Sequence, residues 1–322
     1  MANTSHSVAI YESTNGTLPF AVYIWPFGLV VLCGGFLGLF GNAMIILTLT
    51  SSKELKRNRC NAFVANLAAA DFVSSGYFVL YGVNAILSII DWDRYASTLV
   101  TNETCFYINV PAVFSFNAGA LAVLAIGVDR MASLAKPMFY KSLPSCYTSF
   151  INGSTWLFGL VNAIFGWLCK DPNKIVAACV LPTSLNGFAS SFWNHSNMVI
   201  NILVVGSYGL AYRKAKVLAR SELRLHAEHV LKGNRLLTSL VIVVCIYIIG
   251  WVVTMLVIFA VTVLPVRPTV AFHCSMYVGV LASINVACNF YIYYCRCDEY
   301  RRRFWEMLGT VSKRDVPRMV PI

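Results

Sequence analysis

Seven long apolar runs, with the charged residues almost wholly confined to the stretches between them, constrain this chain more than any other feature. They lie at about 20–49, 61–88, 106–134, 148–168, 188–212, 236–264 and 270–295. A bilayer core needs roughly 20 apolar residues per crossing helix, and every run meets that length. Backbone polar groups have no water to bond in hydrocarbon, so a crossing segment of this kind has to be helical. Composition agrees: 58% of the residues are hydrophobic and 12% charged, against about 45–50% and 25% in soluble domains. The fold class expected is an all-α integral membrane protein, a seven-transmembrane helix bundle. It divides into an N-terminal segment 1–19, a bundle 20–295 and a tail 296–322 with a short amphipathic helix. Residues 1–19 hold no Lys or Arg and no apolar core, so a cleavable signal peptide is not expected.

Charge sets the direction. The net charge is +11, with 25 Lys and Arg against 14 acids. Twenty-one of the 25 cations fall in 50–60, 130–147, 213–235 and the tail, which alternate onto one side of a seven-span chain. The other side has Arg94, Lys170, Lys174 and Arg267. Lys and Arg stay in the cytoplasm, so a multi-pass plasma-membrane protein with its N-terminus outside is expected. The basic balance then reflects topology and contact with membrane lipids, and no nucleic-acid partner is implied. The outer side carries the glycosylation sequons at Asn3, Asn15 and Asn102. The Arg/Lys, Leu and Glu/His mix of 213–235 continues spans five and six as helices into the cytoplasm.

Within the spans there are two acids, Asp71 and Asp129. Ionisable groups in a membrane are costly and mark function by default, although Asp129 beside Arg130 is equally well read as an interfacial charge pair. Of the eleven cysteines, most lie in apolar runs and none has CxxC zinc spacing. Cys105 and Cys179 share the outer, oxidising side; Cys169 and Cys274 lie near the same face and compete as partners.

Further residues complete a pattern. Span one has Gly41-Asn42, span two Asn66-Leu67 and then Asp71, and span three Cys105 followed by Asp129-Arg130-Met131. Span four has Trp156, and the last span has Asn285 and Asn289-Phe290-Tyr291-Ile292-Tyr293, with the stretch CDEYRRRFWEML after it. In this order the chain resembles a rhodopsin-like (class A) G-protein-coupled receptor over nearly its whole length, and most of all a nematode serpentine chemoreceptor of the srsx type. It departs from that pattern in having Met131 for Tyr, Phe290 for Pro, and no Pro in span five or CWxP in span six. The resemblance implies a Cys105–Cys179 disulfide. It also implies that Arg130 pairs with Asp129 at rest and meets a heterotrimeric G protein on release, with Tyr208 and Tyr293 swinging inward. Glu228 stands near the place of a second acid lock. Asp71, Asn285 and Asn289 would form a polar centre that binds sodium in many relatives, although Gly119 stands where those relatives often carry Ser. Cys295 or Cys297 would be palmitoylated.

The ligand is less legible. Ala112 stands eighteen residues before Arg130, where amine receptors carry an acid, so a monoamine is not expected. The last span has no Lys, which excludes a retinal Schiff base. Asn109, Ala112, Phe116 and Asn117 follow helical spacing on span three. With Trp193, Trp251, Met255 and Tyr277 they are read as an aromatic cup for a small extracellular molecule. The function expected is a chemoreceptor that activates a G protein, with no enzymatic chemistry and no cofactor beyond a sodium ion. A seven-helix protein that has lost signalling is the alternative, with a transporter behind it.

Overall fold

A computed structural model describes residues 18–51, 55, 58–90, 100–144, 146–176, 179–222, 242, 245–296 and 298–309. Asn3, Asn15, Glu228 and Cys297 lie outside these residues. The described residues are helical almost throughout. The chain runs through α1 (Leu18–Ser51), α2 (Arg59–Ile90), β1 (Val100–Thr101), α3 (Asn102–Ala135), α4 (Pro137–Ser142) and α5 (Cys146–Cys169). Then come β2 (Ile175–Val176), α6 (Leu181–Ser184), α7 (Gly187–Glu222), a π-helical turn (Ile248–Val252) leading into α8 (Val253–Val263), α9 (Pro268–Arg296) and α10 (Asp298–Met307).

Among the described residues, five helical segments are long and apolar enough to cross a membrane: Pro26–Ser51, Arg59–Leu87, Asn102–Ala135, Cys245–Val263 and His273–Arg296. The other two long helices, α5 and α7, have 24 and 36 residues and carry more Asn, Ser, Thr and Gly. The outer surface is apolar, and polar side chains are buried within an otherwise apolar core. Leu80, Ile90, Phe150 and Ile202 face outward, whereas Asn42, Asp71, Asn109, Asn117 and Asn197 are buried. Such a surface suits lipid, and the interior keeps the groups that can bond one another.

α3 is the central pillar, packed against α2, α5 and α7, while α1 leans on α2 and α9. Without a hydrophobic drive between helices in lipid, close approach depends on small residues. At Gly82 of α2 an added Cβ would lie 2.8 Å from the Gly28 carbonyl oxygen, and at Gly159 of α5 it would lie 2.5 Å from that of Phe114. Neither position admits a side chain without separating two helices.

The two ends of the bundle are built differently. At one end Thr101, in extended backbone, caps α3 by accepting the Thr104 N–H, a standard N-cap use of Thr. β1 pairs antiparallel with β2, Val100 opposite Val176. A disulfide joins Cys105 to Cys179 with Cα atoms 5.3 Å apart, so the expected partner of Cys105 is the one found; Cys169 and Cys274 are free thiols. At the other end α3 gives way to α4, which opens on Pro137, a residue suited to a first helical position. There α10 lays Tyr300 and Phe304 against Phe290 of α9, with ring centres 6.3 and 5.5 Å away. Phe290 also meets Phe40 of α1 at 5.8 Å. The residue standing in the place of the expected proline is therefore the anchor of α10.

Candidate functional site

A cavity of about 500 Å³ opens into the bundle at the α4 end. Its deep part is lined by Asp71, Leu67, Phe116, Trp251, Asn285 and Asn289, and its mouth by Cys60, Arg130, Tyr208, Tyr293 and Arg296. Arg130, Tyr208 and Tyr293 of the switch thus face one continuous space with the polar centre Asp71, Asn285 and Asn289, whereas Asp129 and Met131 do not line it.

In the deep part, Asn289 Nδ2 donates to Asp71 Oδ2 at 2.6 Å. Asn285 stands beside the π turn, where an added Cβ on Gly250 would fall 2.6 Å from the Asn285 Cβ. Asn42 donates Nδ2 to the Val286 carbonyl at 3.1 Å, tying α1 to α9. Asn66 accepts the Trp156 indole N–H at 2.7 Å and donates to Thr155 Oγ1 at 3.0 Å, which joins α2 to α5. Asn42, Asn66 and Asn289 each fill an interhelical hydrogen bond that lipid could not supply. For a hard cation the centre offers the Asp71 carboxylate and the Asn285 amide oxygen, a small oxygen set. Gly119 adds no oxygen, and a Cβ there would stand in ordinary contact with Asp71 Oδ1 at 3.7 Å.

At the mouth the geometry corrects one expectation. Asp129 and Arg130 do not pair. Asp129, only 2% exposed, accepts the Tyr140 hydroxyl at 2.9 Å, and Arg130 donates Nη2 to Cys60 Sγ. Successive positions on a helix do not face each other, and α4 brings the Tyr140 hydroxyl to the acid instead. Tyr208 is buried and lines the mouth with Tyr293; Met131 is half-buried.

The residues read as a ligand cup run from the disulfide end to the deep part of the cavity, and their polar groups are mostly taken up by other side chains and backbone. Asn109 accepts the Tyr77 hydroxyl at 2.6 Å and donates to the Cys105 carbonyl at 2.8 Å and to Cys179 Sγ at 3.3 Å. Asn117 accepts from Asn197 Nδ2 at 2.9 Å. Phe116 sits among Tyr77, Phe78 and Trp251, its ring centre 5.3 Å from that of Trp251. Ala112, Trp193 and Met255 are buried, and the indole N–H groups of Trp193 and Trp251 find no partner. Tyr277 does not join the cup. It is 56% exposed on α9 and stacks on His273 instead.

Asn102 departs from its reading as a glycan acceptor. It is fully buried, donating to the Thr183 and Ser184 carbonyls and accepting the Asp171 N–H. A sugar on that nitrogen has no room. Cys295 is exposed at the end of α9.

The sequence reading passed over Arg59, Cys60, Tyr77 and Tyr140. Tyr77 was within reach, because 71, 74, 75 and 78 trace the inward face of α2 by helical spacing and Tyr77 borders it. The others depend on where α4 folds, which no period records.

The chain has relatives. Melanopsin from Podarcis siculus is 28% identical over 161 residues, 48% of this chain and 32% of that protein. Human melanopsin is 28% identical over 160 residues with the same shares. The Mas-related G-protein coupled receptor member A of Rattus norvegicus is 26% identical over 168 residues, 48% of this chain and 52% of that protein. The matched part of the chain thus spans only about a third to a half of these relatives' length. Residues 35–308 match the family described as serpentine type 7TM GPCR chemoreceptor Srsx, and over that stretch, which holds the whole cavity lining from Leu49 to Tyr300, this chain belongs to that family.

Proposed function

We propose that the chain is a G-protein-coupled chemoreceptor. An extracellular small molecule shifts the population between two helix packings, and the favoured one activates a heterotrimeric G protein. The observation that carries this reading is the cavity at the α4 end, with Arg130, Tyr208 and Tyr293 at its mouth. A receptor needs an opening there for a partner element. The charge split supports placing that end in the cytoplasm, with the N-terminus and the disulfide end outside. Seven crossings follow if α5 and α7 join the five most apolar segments, and α10 then lies along the inner membrane face. Asp71, Asn285 and Asn289 act as a hydrogen-bonded hub, and sodium is the ion its carboxylate would take. Cys295, exposed next to α10, suits palmitoylation. With no Lys in α9, retinal has no attachment point there.

The test is nucleotide exchange on a promiscuous G protein reconstituted with the receptor, across a small-molecule library, with Arg130→Ala run beside it. Ligand-dependent exchange that disappears in Arg130→Ala, at equal surface expression, is the expected result. Normal exchange in Arg130→Ala sinks the mechanism. A reading as a signalling-deficient receptor would gain support if no compound and no G protein gave exchange.

A further inference from the structure

Three contacts at the cavity mouth keep the acid away from the arginine. Arg59, the first residue of α2, donates Nη1 to the Tyr140 carbonyl at 2.8 Å and Nη2 to the Leu143 carbonyl. Its guanidinium also lies 5.6 Å from the centre of the Tyr140 ring. A planar fork of donors fixes two points of a backbone at once, which a flexible ammonium does not. The connector after α3 is thereby held against α2, and Tyr140 is aimed at Asp129. Burial, and then the bond to Asp129, push the Tyr140 pKa upward, so its hydroxyl stays a donor at neutral pH. Arg130, without the acid, rests on Cys60. A thiol is a weak acceptor, whereas a carboxylate makes charge-assisted bonds to guanidinium roughly twice as strong as neutral ones.

We propose that Arg59 is a positioning residue of the switch: by clasping the connector it commits Asp129 to Tyr140 and leaves Arg130 on Cys60, a partner it releases easily. The clasp deepens the receptor reading and rests on it only for its signalling consequence. An arginine held by a thiol is closer to engaging a G protein than one locked to a carboxylate. Arg59 and Tyr140 therefore favour basal coupling, and losing either one strengthens the resting state.

The test reads Cys60 directly. Receptor in nanodiscs is treated with N-ethylmaleimide, and alkylation of Cys60 is timed by peptide mass spectrometry. Tyr140→Phe removes only the hydroxyl; Asp129 turns to Arg130 and draws it off Cys60, which loses the cation that favours its thiolate and reacts several-fold more slowly. Arg59→Gln has the same effect. Adding Asp129→Asn to Tyr140→Phe removes the competing acid, so Arg130 returns to Cys60 and the rate returns to that of the unaltered protein. A connector that had merely loosened would uncover the buried thiol and quicken its alkylation in both variants. That result, or an unchanged rate in Tyr140→Phe, overturns the proposal. Basal nucleotide exchange measured alongside should fall in Tyr140→Phe. If every variant and the unaltered protein give no exchange, the receptor reading fails, and the thiol rates still decide the clasp.

Discussion

Asn102 and Tyr77 show how single polar side chains hold the disulfide end together. Asn102 bonds the Thr183 and Ser184 carbonyls through its amide nitrogen, so mass spectrometry of the intact protein from a eukaryotic host should find this sequon bare. A glycan recovered at Asn102 would contradict the fold at that end. The Tyr77 hydroxyl is the donor to Asn109 Oδ1, and both residues are buried. Tyr77→Phe strands that oxygen, and an unsatisfied buried acceptor costs about 1–3 kcal/mol. Thermal unfolding of the purified receptor should drop measurably in Tyr77→Phe, and an unchanged midpoint would show that the bond contributes nothing. At this scale the sequence revealed residue type better than partner. Asp71, Asn289 and Asn66 stand out because polar residues inside apolar runs are rare. That Asp129 would choose Tyr140 over its own neighbour depends on the path of α4, and Tyr140 lies eleven residues away with no periodic relation to it.

Among the elements, the π turn is the piece no hydrophobic pattern discloses, because Ile248-Ile249-Gly250-Trp251-Val252 reads as ordinary helix. Its signature is the Val253 N–H bonding the Ile248 carbonyl, five residues back. A π turn is one of the few causes of a bend in a helix without proline, and it falls just where this chain lacks the CWxP motif of its family. Thr254 steadies it by donating to the Gly250 carbonyl at 2.6 Å and reaching the Val278 carbonyl at 3.1 Å. Gly250 lets the turn touch Asn285. Gly250→Ala should overpack that contact and destabilise the protein by about 1–3 kcal/mol. Deleting Ile249 removes the extra residue and should convert the turn to α-helix while keeping both flanking faces in place. Hydrogen exchange at the amides of 248–253 should then slow markedly. If exchange there is unchanged in the deletion variant, the turn is not a locally weakened hinge. Phe290 makes the parallel point: Phe290→Pro would restore the family motif yet remove the anchor of α10, so it should lower stability. The two-residue strands β1 and β2 were illegible for a different reason, being too short to have a period.

At the scale of the molecule, the alternation of apolar runs and basic loops carried most of the information. Helix bounds follow it closely: the run at 61–88 became Arg59–Ile90, and the run at 106–134 became Asn102–Ala135. The continuation of span five past 212 is found as well, with α7 running to Glu222. The span bounds were legible because lipid leaves the backbone no alternative to helix, and the extension because its Arg/Lys, Leu and Glu/His mix keeps helical spacing. Direction is the one global property that rests on charge alone, and it can be tested without any ligand. Cys146 opens α5 and is exposed, close to α4 and therefore on the same end as Arg130. With that end in the cytoplasm, a membrane-impermeant maleimide applied to intact cells should leave Cys146 unlabelled and should label it once the cells are permeabilised. Palmitoylation does not confound this residue as it would Cys295. Disulfide-bonded Cys105 and Cys179 stay unreactive in both conditions, which provides an internal control. Labelling of Cys146 on intact cells would invert the molecule. The Arg130 cavity would then face the exterior, no G protein could reach it, and the receptor reading would fall with the topology.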